Sequence, residues 1–196
     1  PLYSSAASDV YKRQGKIRWS GVSNYSASQL GRAAALGPVS SLQPRYSLLN
    51  RQIEDDEGQM DWCRENNCGI VCYSPMDSGL LTGKVTREWI DSLPENDWRR
   101  HKQEDHPVAS LLRPPKLEPF LQLVNQLRAI AEPSGHTVAQ LAVAWTLRRT
   151  EVTSAIVGAR RRGQIAETVR AAEWPLGQVE LDAIEAAICI FHQAID

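Results

Sequence analysis

Four times along this chain a short extended run is followed by residues at helical spacing, and that alternation restricts the fold more than any other feature. Ile17–Ser23 (IRWSGVS) lies between Gly15 and Asn24 and reads as a strand. Ser26–Leu36 opens on a capping Ser and closes on Gly37-Pro38, so it reads as a helix. A brief strand follows within Ser40–Pro44, with Ser41–Gln43 its paired part, and residues 57–66 read as a helix ended by Asn67-Cys68-Gly69. Gly69–Tyr73 (GIVCY) is apolar on both faces, as a buried parallel strand must be. Lys116–Glu132 and Val138–Arg149 have helical periodicity, the second capped by Thr137; Leu117, Phe120, Leu121, Val124, Leu127, Ile130, Leu141, Val143, Ala144 and Trp145 are the inward positions. Val152–Val157 is the last strand, and Gly163–Ala172 and Glu180–Phe191 the last helices. Ser74–Pro115 is polar, rich in charge and Pro, and reads as one long loop. His136 and His192 read as surface residues, Trp145 and Trp174 as packing.

Strand-helix alternation argues a parallel α/β sheet with right-handed crossovers. A doubly wound sheet and part of a (β/α)8 barrel both satisfy it. No GxGxxG follows any strand, so the dinucleotide fingerprint of the doubly wound class is missing.

Composition narrows the partners. A chain of 196 residues is long enough for one good core. Lys+Arg is 22 against 23 Asp+Glu, so the basic surplus of a nucleic-acid binder is absent. No apolar run approaches a membrane span, and no signal-peptide pattern is visible, so neither membrane nor secretion is expected. Cys63, Cys68, Cys72 and Cys189 include no CxxC pair and read as reduced thiols of a cytoplasmic protein. A zinc site would need His101 or His106 beside Cys63, Cys68 and Cys72, a spacing that fits no usual zinc pattern. Residues 1–14 show no periodicity and read as foreign to the fold, against the plainer reading of a ragged terminus. Residues 15–196 form the single expected domain.

In parallel α/β proteins ligands meet the carboxyl ends of the strands. Those ends carry Ser23-Asn24, Gln43, Tyr73-Ser74-Pro75 and Gly158-Ala159-Arg160. Asn24 and Gln43 can each donate and accept, as a carboxamide partner must. Tyr73 offers a flat ring to a planar heterocycle. Arg160–Arg162 precede a helix whose N-terminus already favours anions. Each residue also has a plain structural role: strand exit, surface amide, core aromatic, solvated charge.

Four segments, GKIRWSGVSNYS (15–26), LQPRYSLLNR (42–51), CYSPMDSGLLTGK (72–84) and AIVGARRRGQIAET (155–168), resemble successive motifs of the aldo-keto reductase superfamily. They are most similar to its bacterial and potassium-channel β-subunit-like branch. The resemblance runs in order from about Gly15 to the end, and implies a (β/α)8 barrel that binds NADP(H) without a Rossmann domain. It implies that Ser23, Asn24 and Gln43 hold the nicotinamide carboxamide and that Tyr73 stacks on the ring. Ser74, Pro75, Met76, Ser78 and Gly79 would line the pyrophosphate, approached by Lys84. Gly158, Ala159 and Arg160 would surround the adenosine 2′-phosphate, with Gln164, Glu167 and Thr168 beside ribose and adenine. Thr168 stands where the family commonly has Asn, and Met76 where Leu is usual.

The family's catalytic Asp, Tyr, Lys and His belong to the first half of its barrel, and nothing before Gly15 matches them. The resemblance therefore implies a C-terminal half-barrel, strands five to eight, that keeps the cofactor cradle and has no catalytic residue of its own. The expected lineage is an NADP(H)-dependent oxidoreductase reducing small aldehydes or ketones. The alternative is a non-catalytic nucleotide-binding or regulatory module, or a truncated product without activity. Open sheet edges would favour self-association.

Overall fold

Parallel strands cannot be joined by hairpins, so every connection must cross back over the sheet. The computed structural model describes residues 10–54, 58–101 and 106–195. Strands β1 (Gly21–Ser23), β2 (Ser41–Gln43), β3 (Gly69–Tyr73) and β4 (Val152–Ile156) form one sheet in the order β1-β2-β3-β4. All three pairings are parallel. Helices α1 (Ala27–Ala34) and α2 (Gln59–Glu65) supply the first two crossovers. The third contains α3 (Arg87–Asp91), α4 (Trp98–His101), α5 (Leu117–Ala131) and α6 (Val138–Leu147). Then α7 (Gln164–Val169) and α8 (Gln178–Ile195) follow β4.

Local chemistry explains the boundaries. Ser26 caps α1, with Gln29 reaching back to complete a capping box, and Thr137 with Gln140 does the same for α6. Asn67 (φ 50°) adopts the left-handed turn that ends α2, and the Cys68 amide donates to the Cys63 carbonyl at 2.8 Å. Helix α6 is buried from Gln140 through Thr146 and touches β4, α5 and α7. Helix α5 packs on α8, with Phe120 edge-on to Phe191 at 6.3 Å.

The sheet has one covered face and one open one. Leu42, Ile70 and Cys72 are fully buried. On the opposite face Val71 and Tyr73 pair in register with Ser154 and Ile156, and Ile156 is 44% exposed. Each of β1 and β4 has one neighbouring strand among the described residues.

Several expectations need correction. The first strand is Gly21–Ser23, not Ile17–Ser23: Ser20 makes one bond to the β2 side, its carbonyl accepting from the Ser40 amide at 2.9 Å, residues 17–19 belong to no ladder among the described residues, and Trp19 is exposed. Residues 74–115 are not one loop. Two 3-10 segments, Asp77–Thr82 and Ala109–Leu112, and two short helices bury Leu80, Leu81, Val85, Leu93 and Leu112. Their apolar residues are too closely grouped to show helical periodicity. Leu121 and Ile130 are only half-buried, while Leu123 and Ala131 take the core positions of α5. Helix α8 starts earlier and ends later than expected, and the Gly163–Ala172 helix splits into α7 and a 3-10 turn, Arg170–Glu173. His136 is half-buried, stacked on Trp174 at 4.1 Å, whereas His192 is exposed. Glu57 and residues 1–9 lie outside the described residues; residues 10–13 are helical. Cys63, Cys68 and Cys72 are buried free thiols and Cys189 is exposed.

Two glycines make opposite predictions. A Cβ on Gly21 would meet the Ser41 carbonyl oxygen at 2.7 Å, whereas one on Gly31, inside α1, meets nothing within 4 Å. Gly21→Ala should destabilise the protein by about 1–3 kcal/mol through backbone displacement. Gly31→Ala should stabilise it by about 0.5–1 kcal/mol. Urea unfolding midpoints check both, at unchanged m-value.

Candidate functional site

The ends of the first three strands are stitched together by side chains. Ser23 Oγ and the Asn24 amide both donate to the Gln43 carbonyl, at 2.9 and 3.1 Å. The Tyr73 hydroxyl donates to Asn24 Oδ1 at 3.1 Å, reaching from β3 past β2 to β1. Asn24 is left-handed (φ 57°), which turns its amide back over the sheet. Ser23, Asn24, Gln43 and Tyr73 therefore meet at one place, and the Gln43 side chain is exposed there.

The chain then enters a turn with an unusual run of left-handed residues: Ser74 (φ 56°), Asp77 (43°), Ser78 (55°) and Gly79 (96°). Such backbone needs support where the residue is not Gly. Asp77 supplies it. Its carboxylate is 1% exposed, accepts from Arg45 Nη2 at 2.6 Å, and accepts a short bond from Ser47 Oγ. Ser47 Oγ in turn accepts from the Leu49 and Asn50 amides at 3.2 and 3.0 Å. One carboxylate thus ties the turn after β3 to the loop after β2. Burial raises its pKa and outweighs Arg45 and Ser47, which lower it. Pro75 and Met76 are buried, Ser78 is exposed and Gly79 half-buried. Asp77 was passed over in the sequence; an acidic residue in an apolar, Gly-rich turn, with no basic residue near it in sequence, was the available signal.

At the end of β4, Gln164 staples its own approach loop. Gln164 Oε1 accepts from the Arg160 amide at 3.0 Å, and Nε2 donates to the Gly158 carbonyl at 3.4 Å. Gly163 caps α7 in a left-handed conformation (φ 85°). Gly158, Ala159 and Arg160–Arg162 are exposed. Thr168 is buried, and its hydroxyl donates to the Gln164 carbonyl at 2.9 Å, so it is spent on the helix backbone rather than presented to a ligand. Glu167 is exposed; its carbonyl accepts from Gln140 and joins α7 to α6.

Between the β3 turn and the β4 loop lies a cleft of about 330 Å³. Gly79, Thr82, Lys84, Arg160, Arg161 and Gln164 line it, and so do Trp89 and Arg99, which the sequence reading missed. Four cationic side chains on one small cleft suit a multiply charged anion. A second cavity of about 250 Å³, between β4, α6 and α7, is mainly apolar, lined by Val143, Leu147, Val157, Ile165 and Val169 among others. It lies away from the stitched strand ends. Among the described residues no group of three His, Cys, Asp or Glu could hold a metal, and no helix is long and apolar enough to cross a membrane.

Comparison with known proteins gives this geometry a family. The model of the aldo/keto reductase family matches residues 5–188, beginning within the segment set apart at the N-terminus. The chain belongs to the aldo/keto reductase family. It is 36% identical over 174 residues to the aldo-keto reductase yakc of Schizosaccharomyces pombe, whose name specifies NADP(+), covering 88% of this chain and 48% of that protein. It is 33% identical over 163 residues to aldo-keto reductase YhdN of Bacillus subtilis, covering 83% and 46%. The structure of the glycerol dehydrogenase AKR11B4 from Gluconobacter oxydans superimposes with a TM-score of 0.79 at 29% identity, covering 91% of this chain and 51% of that one. The chain spans about half the length of the relatives it matches.

Asp77 yields a pH prediction. Its folded-state pKa lies above the ordinary carboxylate value, so ionisation costs stability as pH rises from that value through the raised one. Asp77→Asn cannot ionise. The stability of the native protein relative to Asp77→Asn should therefore fall across that window. Denaturant unfolding of both proteins between pH 3 and 8, about the span over which carboxylates titrate, reads the difference; a constant difference would contradict the assignment.

Proposed function

We propose that this aldo/keto reductase chain is the NADP(H)-holding half of a (β/α)8 barrel, corresponding to strands five to eight, in a lineage that reduces small aldehydes or ketones. The single observation that carries the reading is the pairing of a strand-end cluster, Ser23, Asn24, Gln43 and Tyr73, with a cationic cleft at Arg160 and Gln164, the two linked along the chain by the turn from Ser74 to Gly79. Half-length coverage of the relatives, and four parallel strands whose outer two each have one neighbour among the described residues, support the half-barrel.

The residues present fit such a cofactor. A carboxamide needs donors and acceptors in one plane, and Asn24, Gln43 and Ser23 supply both. Tyr73, its hydroxyl tied to Asn24, would hold its ring against the nicotinamide. The turn at Ser74–Gly79, closed by its own Asp77 and Gly79 amides, would line the pyrophosphate through Gly79, with Lys84 nearby. Arg160 and Arg161 would take the 2′-phosphate, with Gly158, Ala159, Gln164 and Glu167 shaping the adenosine end; Thr168 would only fix the helix. When bound, the cofactor supplies a hydride to the carbonyl carbon. The carbonyl oxygen then needs a proton. Tyr73 donates to Asn24, and the Tyr46 hydroxyl donates to Glu54 at 2.6 Å and accepts from Arg148 at 2.6 Å, so both are committed. We therefore assign this chain binding and orientation of the cofactor and place the proton donor outside the cradle. Four free cysteines support a reducing, cytoplasmic setting.

Two outcomes follow. The protein should prefer NADPH to NADH, and Arg160→Ala should erase most of that preference; a charge-assisted phosphate contact amounts to about 1.5–3 kcal/mol, roughly ten- to hundredfold in affinity. Paired fluorescence titrations check this, and equal affinities in the parent would contradict it. The open edges of β1 and β4 should make the isolated chain self-associate. Size-exclusion chromatography showing a compact monomer at high concentration would contradict that.

A further inference from the structure

We propose that Cys63 and Cys68 form an oxidation site: a dithiol that closes into a disulfide across the end of α2 when the protein meets a hydroperoxide, and reopens under a thiol reductant. The inference stands apart from the cofactor reading and survives its failure.

Helix spacing alone would keep these residues apart. Five positions along a continuing α-helix rotate the side chain by about 140°, on to the far face. Here the helix ends between them. The Cys68 amide donates to the Cys63 carbonyl at 2.8 Å, and the Asn67 amide donates to the Arg64 carbonyl at 3.5 Å. With Asn67 left-handed (φ 50°), these two bonds make a Schellman turn, in which the side chains at the two ends meet. Standard bond lengths on either side of the 2.8 Å bond put the two Cα atoms within about 7 Å of each other, inside the reach of a disulfide. The thiols themselves touch: the Cys63 Sγ–H donates to the Cys68 sulfur. Cys72 is placed differently. It follows Cys68 by four residues, about 13 Å along an extended strand, and its thiol lies against Thr146 of α6.

The pair is asymmetric. Burial pushes both thiols up, Cys63 to about 12, where the neighbouring Cys68 and Glu151 add to the effect. The bond from Cys63 acts the other way on Cys68 and favours its thiolate. Cys68 is therefore the attacking sulfur and Cys63 the resolving one. The Cys68 thiolate attacks one peroxide oxygen, the O–O bond breaks, and the second oxygen leaves with the Cys68 proton as water. The Cys63 sulfur then displaces the hydroxyl of that sulfenic acid; the S–S bond forms, and the Cys63 proton leaves with the oxygen as a second water. Two thiols lose two electrons and one peroxide gains them. Both residues are buried, at 1% and 3% exposure, so attack waits until the last turn of α2 lifts away. Arg64, Glu65, Asn66 and Asn67, which form that turn, are all exposed. The disulfide ties the end of α2 covalently to the start of β3. The same helix reaches the strand rim through Gln59, whose Nε2 donates to the Tyr25 carbonyl at 2.9 Å, so oxidation stiffens α2 between sheet and rim.

The test uses the purified protein and Cys189→Ser, which removes the exposed thiol. Each is treated with hydrogen peroxide, alkylated and digested with trypsin. Trypsin cuts after Arg64, between the two cysteines, so the disulfide joins peptides 52–64 and 65–84. Fragmentation of the joined pair tells a bond at Cys68 from one at Cys72, which shares the second peptide, without relying on a core variant. The expected result is a Cys63–Cys68 bond in both proteins, in a species that runs as a single chain on a non-reducing gel and is reversed by dithiothreitol. Its thermal midpoint should lie about 4–8 °C above that of the reduced form. Cys68→Ala should abolish the joined peptides. A bond at Cys72 in place of Cys68 would overturn the inference, and so would a Cys63 that stays a free thiol at peroxide levels that oxidise Cys189 in the parent. Cys63 carried to a sulfinic acid with no disulfide would overturn it as well. A midpoint at or below that of the reduced form would show a bond forced on the fold, against the proposal.

Discussion

A parallel ladder forces all strands to end at the same rim, and here that rim is where the polar chemistry collects. Gly21 lies so close to Ser41 that no side chain fits between them. That contact brings the end of β1 against β2, and so lets Ser23 and Asn24 share the Gln43 carbonyl. Tyr73 can reach Asn24 only because β3 is held in register by its buried residues, Ile70 and Cys72. The rim is thus a consequence of packing under the opposite face of the sheet. Polar residues at the strand ends and apolar ones on the covered face divide the work between site and core.

Two carboxylates, one buried and one half-buried, then fix the loops that rise from the rim, and they do so in opposite electrostatic regimes. Asp77 is so deeply buried that desolvation raises its pKa despite Arg45. It joins two loops at the expense of some stability once ionised, a device whose gain lies in geometry rather than in free energy. Asp97 keeps more solvent, and its bonds to Arg99 hold its pKa down at about 2. Its contribution is present at neutral pH and is lost as pH falls from the ordinary carboxylate value towards 2. The outer layer uses charge differently again. Arg148 lies over Trp145 at 3.6 Å and donates to both Tyr46 and Glu54, which fastens α6 to the loop after β2.

The sheet was legible because GIVCY and the capping residues Ser26 and Thr137 carry short-range signals. The rim was legible because strand ends in a parallel sheet have one address, and because four ordered motifs carried a family resemblance. The crossover between β3 and α5 was not. Its order comes from Leu80, Leu81, Leu93 and Leu112 reaching a distant core, and short turns leave no period to read. Trp89 and Arg99 were invisible for the same reason: their place at the cleft depends on how that crossover folds back, which no local pattern encodes. Thr168 failed in the other direction. Its position in a motif suggested a ligand contact, yet a buried hydroxyl in a helix finds the nearer carbonyl of Gln164 first.

The central claim is that one connected surface, from the strand rim to the β4 loop, holds a nicotinamide dinucleotide phosphate. Backbone amide NMR during addition of NADP(+) tests it most directly. The account predicts shifts at Asn24, Tyr73, Ser78, Gly79, Arg160 and Gln164, with α8 silent. Shifts confined to the apolar cavity around Val143, Leu147 and Ile165, or no shifts at saturating ligand, would contradict it.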